Sequence, residues 1–289
     1  GVIQQSLGHL NADNSWLITV AERVIAGSVP YIDIIETNPP ASFMLYLPAV
    51  WTAKLLHVSP EFMTAAFVFA GAVGATLFAG RILVRAGLLS KVESGLLLTT
   101  AAFVHGFMPG ASFAEREHIA GFAIMPLLAV YAVRSQGKSI PLAVAVAAGL
   151  IGGAVVDIKP HFALAALLPL AYVLWSRRSL RPASAPENLA VIAMGLAYVA
   201  ISVLRYPAFF DALPYLIEAY VAIQSPFKEI VAQPWFLVNV ALVASGLLLF
   251  GRRCLDPVVA SAFLASLGFL GAYLLQSKGW VNHGLPGVA

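Results

Sequence analysis

The sequence predicts an all-α fold, a polytopic bundle of about eight transmembrane helices with amphipathic helices at the membrane surface. Of its 289 residues, 60% are hydrophobic and only 11% are charged. Soluble domains have roughly 45–50% hydrophobic residues and about 25% charged residues. The hydrophobic residues also fall in blocks close to the length that a helix needs to cross a bilayer. So few charged side chains cannot coat a single soluble core, and a disordered chain would be far more polar.

The same composition excludes several functional classes. The net charge is only +3 and no basic run is present, so we expect no nucleic-acid partner. The single cysteine, Cys254, excludes an internal disulfide and a cysteine-based zinc site. The phosphate-binding loop, the dinucleotide-binding glycine motif, and the HExxH and GxSxG motifs are all missing from the sequence.

Eight apolar segments are predicted to span the membrane, and several reach that length only with flanking residues or in a thinned bilayer. They are 62–80, 94–109, 119–133, 140–156, 161–176, 188–204, 235–251 and 257–275. A ninth stretch, 41–56, is weaker because it is short, contains Pro48 and Lys54, and follows Pro39-Pro40. The polar start of the chain shows no signal peptide, and we expect the sequence to be trimmed at both ends.

The distribution of charge predicts the topology. If 41–56 does not span, residues 1–61 lie outside and four short loops carry 10 of the 17 Lys and Arg residues inside, as the positive-inside rule requires. These loops are 81–92, 134–139, 177–187 and 252–256. We therefore predict that 41–56 is an interfacial or re-entrant helix, that 1–61 is an outer-face catalytic loop, and that 62–289 is the helix bundle. Eleven of the 14 acidic residues then lie outside.

The N-terminal segment holds the first candidate site. Ser15 to Ala26 reads as an amphipathic helix on the membrane surface, ended by Gly27. Its predicted apolar face is Trp16, Leu17, Val20, Val24 and Ile25. Asp13 precedes this helix and has two compatible interpretations, a helix N-cap or a general base.

Asp33 and Glu36 lie between Pro30 and Pro39-Pro40, in a run that cannot be helical throughout. Carboxylates on such a rigid segment can position a substrate. Alternatively, they only keep an interfacial loop hydrated.

A second candidate site is the short loop 109–121, which carries Glu115, Arg116, Glu117 and His118. The two glutamates are candidate ligands for a divalent cation, and Arg116 and His118 are candidate contacts for phosphate. The alternative is a solvated turn between helices with local ion pairs.

Two further clusters follow predicted spans on the same side. Lys159 and His161 read as a clamp for a lipid phosphate, or else Lys159 snorkels and pairs with Asp157. Lys278 and His283 read as a site for an anionic headgroup, beside a Trp280 that is also ordinary at a membrane interface.

These residues resemble the pattern of the GT-C superfamily of membrane glycosyltransferases, similar to protein O-mannosyltransferases and lipid A aminoarabinose transferases. The resemblance is carried by the spacing D-x13-G-x8-E-x2-PP, from Asp13 through Gly27 and Glu36 to Pro39-Pro40. The sequence departs from the pattern in lacking the span expected before Asp13. It also has Asn38 at a position where some members of the superfamily have Lys, and its second loop reads EREH in place of a run that contains Asp.

The resemblance implies an enzyme that moves a sugar from a polyprenyl-phosphate carrier to a lipid, glycan or protein acceptor. Asp13 is then the general base, and Glu115, or else Glu117, is the acid of the second loop. Lys159, with Arg116 or Lys278, neutralises the carrier phosphate. A divalent cation is compatible with this pattern but is not required by it.

Two other functions fit the sequence, a transporter or flippase of lipid-linked saccharides and a non-catalytic subunit of an envelope-assembly complex. Transporters usually place ionisable groups near the bilayer midplane. Here the acids are predicted at one surface, which favours an active site on the outer face of a bacterial inner membrane.

Overall fold

A computed structural model describes residues 11–288, and within this range the chain forms α-helices and short 3-10 turns with no β-strand. The prediction that the polar start of the chain, residues 1–16, carries no signal peptide falls largely on residues 1–10, which lie outside the described range. The helices are α1 (Ala12–Ile25), α2 (Ala41–Met44), α3 (Leu47–Leu56), α4 (Pro60–Arg85), α5 (Lys91–Phe107), α6 (Arg116–Ala123), α7 (Met125–Ser135), α8 (Leu142–Ile158), α9 (Ala163–Arg177), α10 (Pro186–Arg205), α11 (Pro207–Ala222), α12 (Phe227–Val231), α13 (Pro234–Phe250), α14 (Pro257–Gln276) and α15 (Val281–Val288).

All eight apolar segments are helical, so this part of the prediction is confirmed. Five helical stretches within residues 11–288 are long and apolar enough to cross a membrane, as in an integral membrane protein. They are Pro60–Arg85, Arg116–Ser135 (α6 with α7), Pro186–Arg205, Pro234–Leu255 and Pro257–Gln276. The count of eight spans stays a prediction, since α8, for example, is apolar but shorter.

The segment 41–56 forms two short helices, α2 and α3, instead of one. The ten residues of α3 measure about 15 Å along the helix axis, half of a hydrocarbon core about 30 Å thick. Length therefore prevents α3 from crossing a bilayer alone, in agreement with the sequence argument. Its placement at the membrane interface stays a prediction.

Helix α1 begins three residues before the predicted start at Ser15, and its buried face differs from the predicted apolar face. Asn11 is its N-cap, since its side chain accepts a hydrogen bond from the Asp13 backbone N–H. Trp16 is 40% exposed. The buried face is Leu17, Ile18, Val20 and Ala21, which packs on α2 and α3. Much of the apolar face therefore contacts protein. At the C-terminal end Gly27 adopts a φ of 102°, which favours glycine.

The basic loops and the candidate site lie at opposite ends of the helix bundle. Lys138 Nζ donates to the Ala86 carbonyl oxygen at 2.6 Å, and Arg134 Nε donates to Glu187 Oε1 at 2.8 Å. These contacts join three of the four loops that carry the ten basic residues, at what we call the basic end. Arg116, Glu117, Lys159 and His283 meet at the opposite end, which we call the site end.

Helices α8 and α10 pack closely because glycines line α8. A Cβ at Gly149 would lie 2.2 Å from the Glu187 carbonyl oxygen, and one at Gly153 would lie 2.6 Å from Met194 Cβ. This is the small-xxx-small spacing of close helix pairs in membranes. Asp157, four residues further on, therefore faces α10 at Gly195.

Candidate active site

Glu117 is the centre of the site end. It lies in the first turn of α6 and is only 1% exposed. Its Oε1 atom accepts a hydrogen bond from Lys159 Nζ and lies 3.6 Å from His283 Nε2. Lys159 Nζ also donates to Gln276 Oε1 at 2.8 Å. The cluster therefore joins α6, the turn after α8, the end of α14, and α15.

This geometry corrects two interpretations from the sequence. Glu115, Arg116, Glu117 and His118 are all buried, so the loop is not a solvated turn. Lys159 pairs with Glu117 rather than with Asp157. Burial lowers the pKa of Lys159, opposed by the charge of Glu117. Burial and the neighbouring Lys159 also lower the pKa of His283 to about 3, which keeps this imidazole neutral.

Arg116 connects α6 to the N-terminal segment. Its Nη1 atom donates to Asn38 Oδ1 at 2.7 Å and to Ser42 Oγ at 2.9 Å. Glu36 in turn accepts from the Asn38 backbone N–H at 2.7 Å, from Asn38 Nδ2 at 2.8 Å and from Trp16 Nε1 at 2.8 Å. The buried Glu36 carboxylate therefore orients Asn38 toward the guanidinium, and hydrogen bonds in such chains strengthen one another.

Glu115 lies beside this network. Its Oε1 atom accepts from Asn11 Nδ2 at 2.6 Å, and the side chain of Asn282 lies beside the same carboxylate. Burial, followed by the charge of Glu117, raises the pKa of Glu115 to about 7. The carboxyl group is thus held close to half-protonated at neutral pH.

Asp13 is the exposed carboxylate of the site. Because Asn11 caps α1, Asp13 is the second residue of the helix, and the N-cap interpretation of Asp13 is wrong. The hydrogen bond from Asn11 to Glu115 brings the start of α1, and with it Asp13, to the site end. Asp13 is accessible from outside, unlike Glu36, Glu115 and Glu117.

Lys278 is enclosed by aromatic rings. Its Nζ atom lies 3.5 Å from the ring centroid of Tyr220 and 4.5 Å from that of Trp280, within the range of cation–π attraction. Burial, together with the charges of Lys159 and Arg116, lowers the pKa of Lys278 to about 8. It is therefore a cation that loses its proton easily.

Other predicted site residues lie elsewhere or make other contacts. Asp33 Oδ2 accepts from the Val29 backbone N–H at 2.7 Å within its own turn. His118 packs among the rings of His105, Phe113 and Phe122. His161 packs edge-on against Phe162 and borders the cluster of Glu117, Lys159 and Gln276.

A metal centre receives no support from the arrangement. Across residues 11–288, no group of three His, Cys, Asp or Glu residues is placed to hold a metal ion. Glu115 and Glu117 have no third ligand of this kind, and Glu117 already accepts a hydrogen bond from Lys159.

Sequence reasoning missed the uncharged partners that orient the site. These partners are Asn11, Asn38, Ser42, Tyr220 and Gln276. Asn38 had a signal, because it occupies one of the two variable positions between Glu36 and Pro39-Pro40. Gln276 had a weaker one, as a polar residue at the end of an apolar span.

The chain matches no family model, no curated protein and no solved structure. The chemistry of the site therefore follows from its own residues. An exposed carboxylate, Asp13, lies at the same end of the bundle as the cations Lys278, Arg116 and Lys159. That combination suits the activation of a nucleophile beside an anionic leaving group.

Proposed function

We propose that the protein is a membrane glycosyltransferase of the GT-C type. It moves a sugar from a polyprenyl-phosphate carrier to a lipid, glycan or protein acceptor at the outer face of a bacterial inner membrane. The observation that carries the proposal is the exposed Asp13 carboxylate at the end of the bundle that also holds Arg116, Lys159 and Lys278, placed there by the hydrogen bond from Asn11 to Glu115, in a bundle with five candidate spans. The Asp13, Gly27, Glu36, Pro39-Pro40 spacing supports it independently.

The site divides the reaction between two kinds of group. Asp13 takes the proton of the acceptor hydroxyl or amine as that atom attacks the anomeric carbon of the sugar. The bond from this carbon to the carrier phosphate oxygen breaks, and the phosphate leaves with the electron pair. Lys278 neutralises this charge, while Arg116 and Lys159 add positive potential from the protein side of the site.

Label transfer in lipid nanodiscs tests the proposal. The full chain, Asp13→Asn and a control, Asp211→Asn, are each given a panel of radiolabelled polyprenyl-phosphate sugars and a membrane extract as acceptor. Asp211 is an exposed carboxylate on α11. We expect transfer by the wild type and by the control, and a loss of about a hundredfold or more in Asp13→Asn.

Two outcomes contradict parts of the proposal. Equal transfer by wild type and Asp13→Asn removes Asp13 from the mechanism. No transfer from any donor, with carrier binding intact, contradicts the enzyme. It favours the second candidate, a flippase of lipid-linked saccharides, which the ionisable Asp157 buried between α8 and α10 would then serve.

A further inference from the structure

A cleft with charged side chains among a mainly apolar lining lies apart from the Asp13 site, beside α1 and α3. It consists of two adjoining cavities of about 370 and 510 Å³ that share Ile25, Lys54 and His57. Glu22 lines the first cavity and Trp51 the second. Glu22 lies nine residues after Asp13 on α1, about 13 Å along the helix axis. The cleft is therefore distinct from the proposed active site.

The charged groups of the cleft come from two helices. Lys54 lies in the last turn of α3, and His57 ends this helix with a left-handed φ of 55°. This conformation is uncommon for a residue with a side chain, and it turns the chain sharply from α3 into α4. Lys54 and His57 line the cleft together with the carboxylate of Glu22 from α1. One cavity thus presents two nitrogen donors and one anion.

An apolar surface borders the cleft on the side of the first candidate span. Trp51, Leu55 and Phe62 are 57%, 56% and 63% exposed. Helix α4, which begins at Pro60, is long and apolar enough to cross a membrane. The cleft therefore lies at the end of a candidate span, and such an end is where we expect lipid headgroups to meet protein and where Trp and Lys side chains are enriched.

We infer that this cleft binds the headgroup of a zwitterionic phospholipid of the phosphatidylethanolamine type. Lys54 and His57 donate to the phosphate, Glu22 accepts from the ammonium group, and the acyl chains lie along Leu55 and Phe62. An anionic lipid without an ammonium group would bring its charge to the carboxylate of Glu22 without compensation. The inference does not depend on the glycosyltransferase proposal, because the cleft shares no residue with that site.

Lipid binding to the full chain in detergent micelles tests the inference. Native mass spectrometry measures the affinity for phosphatidylethanolamine and for phosphatidylglycerol. Lys54→Met removes the charge but keeps the aliphatic stem, and Lys228→Met is the matched control at an exposed lysine on α12. We expect Lys54→Met to weaken phosphatidylethanolamine binding by about fivefold or more, as for the loss of one charge-assisted hydrogen bond. The control should bind like the wild type.

Glu22→Gln separates the zwitterionic headgroup from an anionic one. We expect this variant to lose the preference for phosphatidylethanolamine over phosphatidylglycerol, with its unfolding temperature unchanged. Equal binding by Lys54→Met and wild type would overturn the site. Equal affinity of the wild type for both lipids would overturn the zwitterionic class, even if Lys54→Met weakens both.

Discussion

Glu187 at the basic end and Glu117 at the site end are both 1% exposed, and each accepts a hydrogen bond from a cationic side chain. Arg134 meets Glu187 through two nitrogens, at 2.8 and 3.0 Å, which matches one guanidinium to one carboxylate. Glu117 instead receives Lys159, lies near His283, and has Arg116 as its neighbour in sequence.

The difference shows how similar residues serve two purposes. The basic end contains a closed pair that satisfies both partners and joins α7 to α10. At the site end, Glu117 accepts a hydrogen bond from Lys159, Arg116 donates to Asn38 and Ser42, and Lys278 lies over the rings of Tyr220 and Trp280. The cations there do not each form a closed ion pair, so a phosphate can compete for them, whereas the matched Arg134–Glu187 pair has no such opening.

Lys159→Met should have the largest effect on both stability and function. Removing one partner leaves Glu117 buried without its cation, which costs about 3–5 kcal/mol in the free energy of unfolding. Chemical unfolding in micelles measures this loss, and label transfer should fall as well. The double variant Lys159→Met with Glu117→Gln should regain most of the stability but none of the transfer. Recovery of transfer in the double variant would contradict the role of Lys159 charge.

Arg134→Met applies the same change to the basic end. Glu187 loses its partner, but Arg134 is 22% exposed and water partly replaces it, so we expect a smaller cost of about 2–3 kcal/mol. Transfer per folded molecule should equal that of the wild type. A selective loss of transfer at unchanged stability would mean that the basic end also takes part in the reaction.

The pH dependence of donor binding should reveal Lys278. Its pKa is lowered to about 8, so the ammonium form is complete well below this pH and is lost as the pH rises through it. The KM for the donor should therefore rise above about pH 8. Lys278→Arg should abolish this rise, because a guanidinium stays protonated. If the rise in KM persists unchanged in Lys278→Arg, another group is responsible for it.

Ionisation of Glu115 should have the smallest effect on donor affinity, at a lower pH than the ionisation of Lys278. Its pKa is raised to about 7, so the group is neutral below this value and adds a negative charge beside the donor phosphate above it. Donor affinity should fall modestly as the pH passes about 7, and Glu115→Gln should abolish that step. An unchanged profile in Glu115→Gln would show that its charge does not reach the phosphate.

Part of the site was readable from sequence. Asp13, Glu36, Arg116, Glu117, Lys159, Lys278 and His283 were all identified as candidates and lie in or beside the network at the site end. Their partners were not, because an amide such as Asn38 or Gln276 resembles any loop or helix-end residue until its neighbour is known. Asp33 was also misleading, since a carboxylate that closes its own turn has the same sequence context as one that faces a substrate.

The sequence by itself determined which segments are helical and apolar, because hydrophobic length and the positions of proline and glycine act locally along the chain. Only the tertiary structure decided which charges meet. Lys159 is 42 residues from Glu117 and 117 residues from Gln276, and a pairing over such separations depends on how helices pack. Packing also decided that Asn11, and not Asp13, caps α1, which leaves the Asp13 carboxylate exposed at the site end.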